Sequence, residues 1–248
     1  MWDGVTLQQL LLITDGCSNA GTDPVYAAQA GRARGIATSV IGILDDGALG
    51  EQGRREAENI AEAGGGMCRI VRIADLSRTM QMVTQQTMQL TLQQVVNKEL
   101  RHLVGQEANA LPPDTRTKVA RFVDTVTEEA DVQIGLVVDM SASMTTKMTA
   151  VREAIRDLEL GLAARTGSHQ LFVITYPGPH GEDAVVHRLE SSRVADAIGA
   201  MRAAGNTPTG PALDAAIRAL LASRDQRLAM RGDGVDAGSE GLLKNHVG

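Results

Sequence analysis

The chain has 248 residues, of which 43% are hydrophobic and 2% aromatic, and its 24 basic and 30 acidic side chains give a formal net charge of −6. This length and hydrophobic content suffice for one sizeable core, while the acidic balance and the scarcity of aromatic rings argue against a nucleic-acid-binding protein. No apolar run approaches the roughly 20 residues needed to cross a bilayer, and no basic segment opens the chain, so we expect a cytoplasmic protein that does not associate with membranes.

The first part of the chain alternates between strand and helix patterns. Apolar runs predict strands at 7–14, 36–44 and 67–73, and amphipathic stretches predict helices at 23–34 and 51–62. This βαβαβ order implies parallel strands that are joined by right-handed crossovers.

Two turn segments in this region resemble ligand sites only superficially. The tract 63–66 (Ala-Gly-Gly-Gly) precedes a strand and lacks the Gly-Lys-Ser/Thr of a phosphate loop, so we interpret it as the end of a helix and a turn. Asp45-Asp46-Gly47 has ordinary turn chemistry, which favours a turn over an acidic ligand cluster.

Two helices are predicted in the middle of the chain. A long pattern rich in Gln, Thr and Met runs from about Asp75 to Leu103, and Pro112-Pro113-Asp114 starts a second helix that ends near Glu129. No His or Cys lies among the methionines, so they are interpreted as packing residues rather than as a copper or redox site.

The second half begins with an almost wholly apolar strand at 132–138, followed by an amphipathic helix from Met148 to Leu162. Strands at 170–176 and 184–189 predict an antiparallel hairpin, and a helix is expected at 193–204.

The tract Asp139-Met140-Ser141-Ala142-Ser143 is predicted to form a loop at the carboxyl end of the strand 132–138. Ligands bind at that edge in open α/β sheets. One carboxylate and two hydroxyls offer only oxygen donors, which suit a hard cation such as Mg²⁺ or Mn²⁺ and are poor ligands for zinc. Alternatively, Ser141 or Ser143 is simply the N-cap of the following helix.

Two further segments carry matching chemistry. Thr14-Asp15-Gly16 ends the first predicted strand, and 205–210 (Gly-Asn-Thr-Pro-Thr-Gly), which contains Thr207 and Thr209, forms a hydroxyl-rich turn before a helix. Together with the Asp139 loop, these motifs resemble the metal-ion-dependent adhesion site (MIDAS) of von Willebrand factor A (VWA) domains. The resemblance implies a Rossmann-like α/β fold with a mostly parallel six-stranded sheet flanked by helices.

The order of the motifs differs from that of an ordinary VWA domain, in which the Asp-x-Ser-x-Ser loop comes first and the Thr-Asp-Gly strand third. Here the third motif comes first, so the resemblance implies a circular permutation in which strands 4-5-6 precede strands 1-2-3. A single domain is predicted at 1–224, followed by a flexible tail at 225–248. Within that domain, 1–75 holds strands 4–6, 76–130 is a helical connector, and 131–224 holds strands 1–3.

The helical connector is long enough to close the domain within one chain. Its second helix spans roughly 24 Å at 1.5 Å per residue, against a crossing of about 14 Å for three strand spacings. Both a monomer and a domain-swapped dimer are compatible with this arrangement.

A narrower resemblance covers almost the full length. The stretches 11–19, 63–66, 81–84 and 207–212 are similar to a family of small VWA proteins of spore-forming Firmicutes, including the permuted order. The resemblance implies a sporulation-associated protein and brings no known reaction with it.

The VWA resemblance also implies a role for each site residue. Ser141, Ser143 and Thr207 would be direct ligands of Mg²⁺ or Mn²⁺, and Asp139 and Asp15 would hold the ion partly through waters. The remaining coordination position suits an Asp or Glu supplied by a protein partner.

The rim of the site, where such a partner would bind, is expected to include Ser18, Asn19 and Thr209. Of these, Thr209 is expected to support the turn rather than to bind the metal.

Two other classes of function are less well supported. A Mg²⁺-dependent hydrolase needs a general base or nucleophile near the ion. No histidine lies in any motif, and Cys17 is interpreted as an unreactive packing residue rather than as a nucleophile. The scattered histidines are His102, His169, His180, His187 and His246. An accessory subunit of an ATP-driven chelatase or remodelling complex is the main alternative, since the chain has no phosphate loop of its own. We therefore expect a protein that is not an enzyme.

Overall fold

The computed structural model describes residues 6–43, 48–104, 107–178, 185–187, 195, 198, 203 and 205–236. The strands in this part of the chain form one sheet. They are β1 (Thr6–Thr14), β2 (Ile36–Gly42), β3 (Gly65–Ile70), β4 (Asp131–Asp139), β5 (His169–Tyr176) and β6 (Val185–His187). Their order across the sheet is β3-β2-β1-β4-β5-β6, with five parallel strands and a short antiparallel β6 beside β5.

The two central strands, β1 and β4, are buried along almost their whole length, because helices cover both faces of the sheet. Their register pairs Leu11 with Leu136 and Ile13 with Val138. The two strands therefore end at the same level, and the segments that follow Thr14 and Asp139 leave the sheet side by side.

Helices pack on both faces of this sheet. They are α1 (Pro24–Arg32), α2 (Ala48–Gly64), α3 (Leu76–Val104), α4 (Pro113–Glu129), α5 (Met148–Ala163) and α6 (Thr209–Asp236). Successive strand residues point to opposite faces, so Leu11 and Ile13 join a core with α3, α4 and α5, whereas Leu10 and Leu12 join a core with α1, α2 and α6. Among the described helices, none is both long enough and apolar enough to cross a membrane.

The C-terminal part differs from the sequence prediction. A flexible tail was expected from residue 225, but α6 continues to Asp236. Residues 224–230 lack an apolar period yet contain Arg, Gln, Leu, Ala and Met, which favour the helix by their intrinsic propensity. The rest of the predicted tail, 237–248, lies outside the described residues.

Other predicted segments are described only in part. The strand expected at 184–189 is seen as Val185–His187, and the helix expected at 193–204 is represented by the buried helical residues Ala195 and Ile198. The turn Asp45-Asp46-Gly47 lies outside the described residues. The tract 63–66 does end a helix, because α2 stops at Gly64, and Gly65 begins β3 with a φ of 68°.

Candidate metal centre

Asp139 is the last residue of β4 and is fully buried. Its Oδ2 accepts a hydrogen bond of 2.7 Å from the Thr14 hydroxyl, and its Oδ1 accepts one of 2.8 Å from the Ser141 backbone N–H. Burial raises the pKa of this carboxyl, while the hydrogen bonds from Ser141 and Thr14 act in the opposite direction. The centre therefore contains a carboxylate that is shielded from water and held by two neighbouring segments.

The two serines connect Asp139 to a second carboxylate. The Ser141 and Ser143 hydroxyl oxygens are 3.1 Å apart, and the Ser143 hydroxyl donates a hydrogen bond of 2.8 Å to Asp15 Oδ1. Neither serine caps the following helix, because 142–144 form a 3₁₀ turn and α5 begins only at Met148. The alternative that these serines serve as N-caps of that helix is therefore wrong.

Asp15 follows β1, and its side chain is 1% exposed. While Oδ1 faces Ser143, Oδ2 forms an ion pair of 2.7 Å with the ammonium of Lys147, whose side chain is 8% exposed. Sequence reasoning did not identify Lys147. A signal was present, since Lys147 lies one turn before Val151 and Ile155 and so continues the buried stripe of α5.

The loop after Asp15 holds the threonine turn in place. Asn19 Oδ1 accepts a hydrogen bond of 2.8 Å from the Thr207 N–H, and the Thr207 carbonyl accepts bonds of 3.2 Å from the Asn19 N–H and the Ser18 hydroxyl. Thr207 itself is buried, and Asn19 is exposed. The structure thus brings Thr207 beside the segment that carries Asp15, and it makes Ser18 and Asn19 supports of the turn.

Thr209 does not lie on the rim. It is the first residue of α6, it is 1% exposed, and its hydroxyl donates a hydrogen bond of 3.4 Å to the Tyr176 hydroxyl. The helix packs on the sheet from its first turn, so this side chain is directed into the core rather than to a partner. The expected place of Thr209 on the rim is therefore wrong, and its expected support of the turn stays a prediction.

Glu56 on α2 is a second residue that sequence reasoning missed. Its Oε1 accepts a hydrogen bond of 2.7 Å from the Ser18 N–H. Burial raises the pKa of Glu56, whereas the hydrogen bond from Ser18 lowers it. The pKa of Cys17 is raised mainly by burial and, to a smaller extent, by the negative charge of Glu56. Nothing in the sequence separates Glu56 from the other glutamates of its helix, because its role arises only where α2 passes the loop.

The loop and the start of α6 fit together without spare room. A Cβ on Gly210 would lie 1.9 Å from the Thr22 carbonyl oxygen, and one on Gly21, which has a φ of 82°, would lie 2.5 Å from Pro211 Cγ. By contrast, a Cβ on Gly16 meets nothing within 4 Å. Close backbone packing therefore positions the Thr207 turn.

The donors of this centre fit a hard cation. Within the described residues, no group of three or more His, Cys, Asp or Glu side chains is placed to hold a metal, so the donor set consists of two carboxylates and hydroxyls. The oxygen separations of 3.1 Å and 2.8 Å along Ser141, Ser143 and Asp15 match the edge of about 3 Å between neighbouring ligands of an octahedral Mg²⁺ ion. These residues fit Mg²⁺ or Mn²⁺ better than zinc.

The fold and this edge define the class: a Rossmann-like α/β protein, with a mostly parallel sheet and an oxygen-rich cluster where its two central strands end. The chain belongs to the YabS family. It is 38% identical over 213 residues to the uncharacterized protein YabS of Bacillus subtilis (strain 168), a match that covers 84% of this chain and 86% of YabS. This match confirms the relationship to YabS-like proteins.

Solved structures give a close neighbour and distant ones. The crystal structure of an uncharacterized protein from Alicyclobacillus acidocaldarius subsp. acidocaldarius DSM 446 is 48% identical, with a TM-score of 0.84, over 89% of this chain and 96% of that one. Proximal thread matrix protein 1 from the mussel byssus, with a zinc-occupied MIDAS motif, is 14% identical with a TM-score of 0.26, over 83% of this chain and 44% of that one. A similarity this low indicates neither fold nor function. No protein-family model matches the chain.

Proposed function

We propose that the chain is a circularly permuted VWA domain whose MIDAS-type site binds Mg²⁺ or Mn²⁺ and captures an acidic residue of a protein partner. The observation that supports this proposal is the continuous hydrogen-bonded cluster of Asp139, Ser141, Ser143 and Asp15, which joins residues 128 positions apart in the sequence. Two carboxylates and two hydroxyls from separate segments converge at the edge of a parallel sheet where ligands bind.

The permutation is supported by the strand order. β1 and β4 are neighbours at the point where the order across the sheet reverses, and each is followed by one of the two aspartates. Exchanging the two halves of the chain leaves this sheet order unchanged, so only the connections through α3 and α4 distinguish the permuted chain from an ordinary one. We infer that α3 and α4 replaced the original connection between the halves.

Each residue has a role in this proposal. The hydroxyls of Ser141, Ser143 and Thr207 would hold the ion, and Asp139 and Asp15 would balance its charge. A bound dication supplies a positively charged coordination position that attracts a carboxylate from outside. Asp139 is engaged by Thr14 and Ser141, and Asp15 by Ser143 and Lys147, so neither carboxylate is positioned as a general base. This supports a binding protein rather than an enzyme.

The cellular setting of the proposal follows from the sequence resemblance. A cytoplasmic, sporulation-associated adaptor would recruit its partner when the cation is present, either as a monomer or as a domain-swapped dimer. A pull-down performed with Mg²⁺ and again with a chelator identifies that partner, because only metal-dependent binding disappears in the chelator.

Calorimetric titration with Mg²⁺ and Mn²⁺ tests the metal site. We expect the wild type to bind one ion and Asp139→Ala to lose affinity by about a hundredfold or more, because only one carboxylate would remain. The substitution leaves the Thr14 hydroxyl and the Ser141 N–H without their acceptor, which costs about 1–3 kcal/mol, so the titration is run well below the unfolding temperature.

Asp131→Ala is the matched control, since Asp131 begins the same strand at the opposite edge of the sheet. It should bind the ion as the wild type does. If the wild type binds neither ion at millimolar concentration, even with a carboxylate ligand present, the proposed function is wrong.

A further inference from the structure

Lys147 stands at a position in its helix that favours an anion rather than a cation. It is the N-cap residue of α5, and the amino end of a helix favours anions over cations. Its side chain is 8% exposed, and the carbonyl oxygen of Lys147 accepts the Val151 N–H at 3.1 Å within the first turn of the helix. The first turn of α5 therefore directs the ammonium into the site, where it pairs with Asp15.

The carboxylate of Asp15 holds Lys147 beside the serine cluster. Lys147 Nζ binds Oδ2 of Asp15 at 2.7 Å, and Ser143 binds Oδ1 at 2.8 Å. The serines and the lysine thus face different oxygens of one carboxylate. An ion held on the serine side need not displace the ammonium, so the two cations would share this carboxylate.

We propose that Lys147 is a fixed positive charge of the metal centre that makes cation binding depend on an anionic ligand from outside. This inference rests on the proposed function and deepens it. Among the groups in contact with the serine cluster, the carboxylates of Asp139 and Asp15 would balance a dication, and the ammonium of Lys147 would then add one positive charge. The side chains of Asp139, Asp15 and Lys147 are shielded from water, so an uncompensated charge beside them is costly, and a carboxylate from outside would compensate it.

Dependence of this kind is reciprocal. Lys147 repels the dication when it binds alone, which weakens that step, and attracts the carboxylate that follows. By linkage, the factor by which the carboxylate strengthens ion binding equals the factor by which the ion strengthens carboxylate binding. The centre would therefore respond to the cation and an acidic partner together, and only weakly to either alone.

Titration of Mn²⁺ into the wild type and Lys147→Met tests this, in sodium acetate and in sodium chloride of equal ionic strength. Acetate is the carboxylate probe. We expect acetate to tighten Mn²⁺ binding to the wild type by at least about threefold, and Lys147→Met to bind Mn²⁺ in chloride on the order of tenfold more tightly than the wild type. The acetate effect should be absent from the variant.

Two further variants control for charge and folding. Lys118→Met removes an exposed lysine of α4 and should behave as the wild type. Lys147→Arg keeps the positive charge and should retain the acetate effect. Because Lys147→Met leaves Asp15 buried without its counter-ion, the variant should unfold at a lower temperature in chelator and gain more from Mn²⁺ than the wild type does.

The outcomes separate the inference from the proposed function. Equal Mn²⁺ affinities and equal acetate effects in the wild type and Lys147→Met would overturn the role of Lys147 and leave the metal site standing. Tighter binding by the variant with no acetate effect in any protein would also overturn the inference. If neither protein bound Mn²⁺ in acetate, the proposed function would fail, and the inference would fail with it.

Discussion

The aspartates of the candidate centre differ in how the protein compensates their burial. Asp139 receives two hydrogen bonds from uncharged donors, whereas Asp15 receives one from a hydroxyl and one from an ammonium. Burial raises the pKa of Asp139, which means that the protein holds this carboxylate at an electrostatic cost. A dication bound at the proposed site would lower that cost.

Cys68 provides a prediction about reactivity. Burial raises the pKa of its thiol from 9.0 to about 11. At pH 8 the thiolate, which is the reactive form, is then about a hundredfold rarer than in a thiol whose pKa is 9.0, so alkylation should be slow. Below the raised pKa each pH unit increases the thiolate about tenfold, and we expect the iodoacetamide rate of Cys17→Ser, in which Cys68 is the single thiol, to rise accordingly from pH 7 to pH 10.

Labelling in urea gives the reference for this measurement, because unfolding removes the burial. The native rate should approach the urea rate only above pH 10. A native rate that levels off by pH 9 would show that the Cys68 thiol is not protected, and it would contradict the prediction.

At the scale of single residues, the motif residues could be predicted and their supports could not. Asp139, Ser141, Ser143 and Asp15 stand in short patterns at the ends of apolar runs, which is information that the sequence carries locally. Lys147 and Glu56 act through contacts with residues that are 132 and 38 positions away, and such pairings depend on how the helices pack. Thr209 was expected on the rim but is buried, because its surroundings depend on where α6 packs against β5.

Among the elements, the contact between the 15–23 loop and the start of α6 determines where the Thr207 turn lies. The backbone of Thr22 approaches Gly210 so closely that no side chain fits between them. The Ser18 hydroxyl donates a hydrogen bond to the Thr207 carbonyl, and the Thr207 N–H donates one to Asn19 Oδ1, so these bonds fix the orientation of the turn. The threonine turn is thus positioned by a neighbouring loop rather than by its own sequence.

Gly210→Ala tests this contact. The added methyl would lie 1.9 Å from a backbone oxygen, so the loop and α6 must separate, and we expect a loss of about 1–3 kcal/mol in unfolding free energy. Affinity for Mn²⁺ should fall as well, because Thr207 would move away from the loop that carries Asp15. Urea denaturation and calorimetry measure the two effects.

Gly16→Ala is the control for this experiment, because its added Cβ meets nothing within 4 Å although Gly16 lies next to Asp15. It should leave both stability and affinity close to those of the wild type. If Gly210→Ala proved as harmless as Gly16→Ala, the close contact would not determine the position of the turn.

Element boundaries could be predicted where local chemistry marks them. Pro113 opens α4 and Gly64 closes α2, as expected from residues that begin and end helices. The end of α6 could not be found from hydrophobic periodicity, because the helix continues past the last apolar position of its buried stripe. Where a helix leaves the core, propensity rather than pattern determines its length.

In the whole molecule, the centre depends on which strands are neighbours and not on the order in which the chain visits them. β1 and β4 pair over eight residues through hydrogen bonds that do not involve the α3–α4 connection. The helices of that connection pack on one face of the sheet, with Val123 and Val126 of α4 buried in the same core as Leu11, and the Ala108 N–H donates a hydrogen bond of 3.1 Å to Asn97 Oδ1. The two halves should therefore assemble the same site however they are joined.

A rearranged chain tests this at the scale of the whole molecule. Joining Gly248 to Met1 and opening the chain between Gly105 and Gln106 restores the motif order Asp139, Thr207, Asp15. The joined segment is long enough to return from the end of α6 to the start of β1. α6 contacts β1 where the Leu220 carbonyl accepts a hydrogen bond from the Gln8 amide, and the helix extends about 24 Å beyond that point to Asp236. Residues 237–248 and 1–5 together reach roughly 55 Å when extended. The cut lies between α3 and α4 and leaves both helices whole, and loop-closure entropy varies slowly with length.

We expect the rearranged protein to fold, to unfold within about 5 °C of the wild type, and to bind Mn²⁺ with an affinity within about threefold of it, because the strand neighbours and the site are unchanged. Thermal unfolding followed by circular dichroism and calorimetric titration measure both quantities. A second rearranged chain that opens between Leu10 and Leu11 places its termini inside a buried strand and should not fold. If the first chain folded but no longer bound the ion, the connection through α3 and α4 would be part of the site, and the proposed permutation would not explain its geometry.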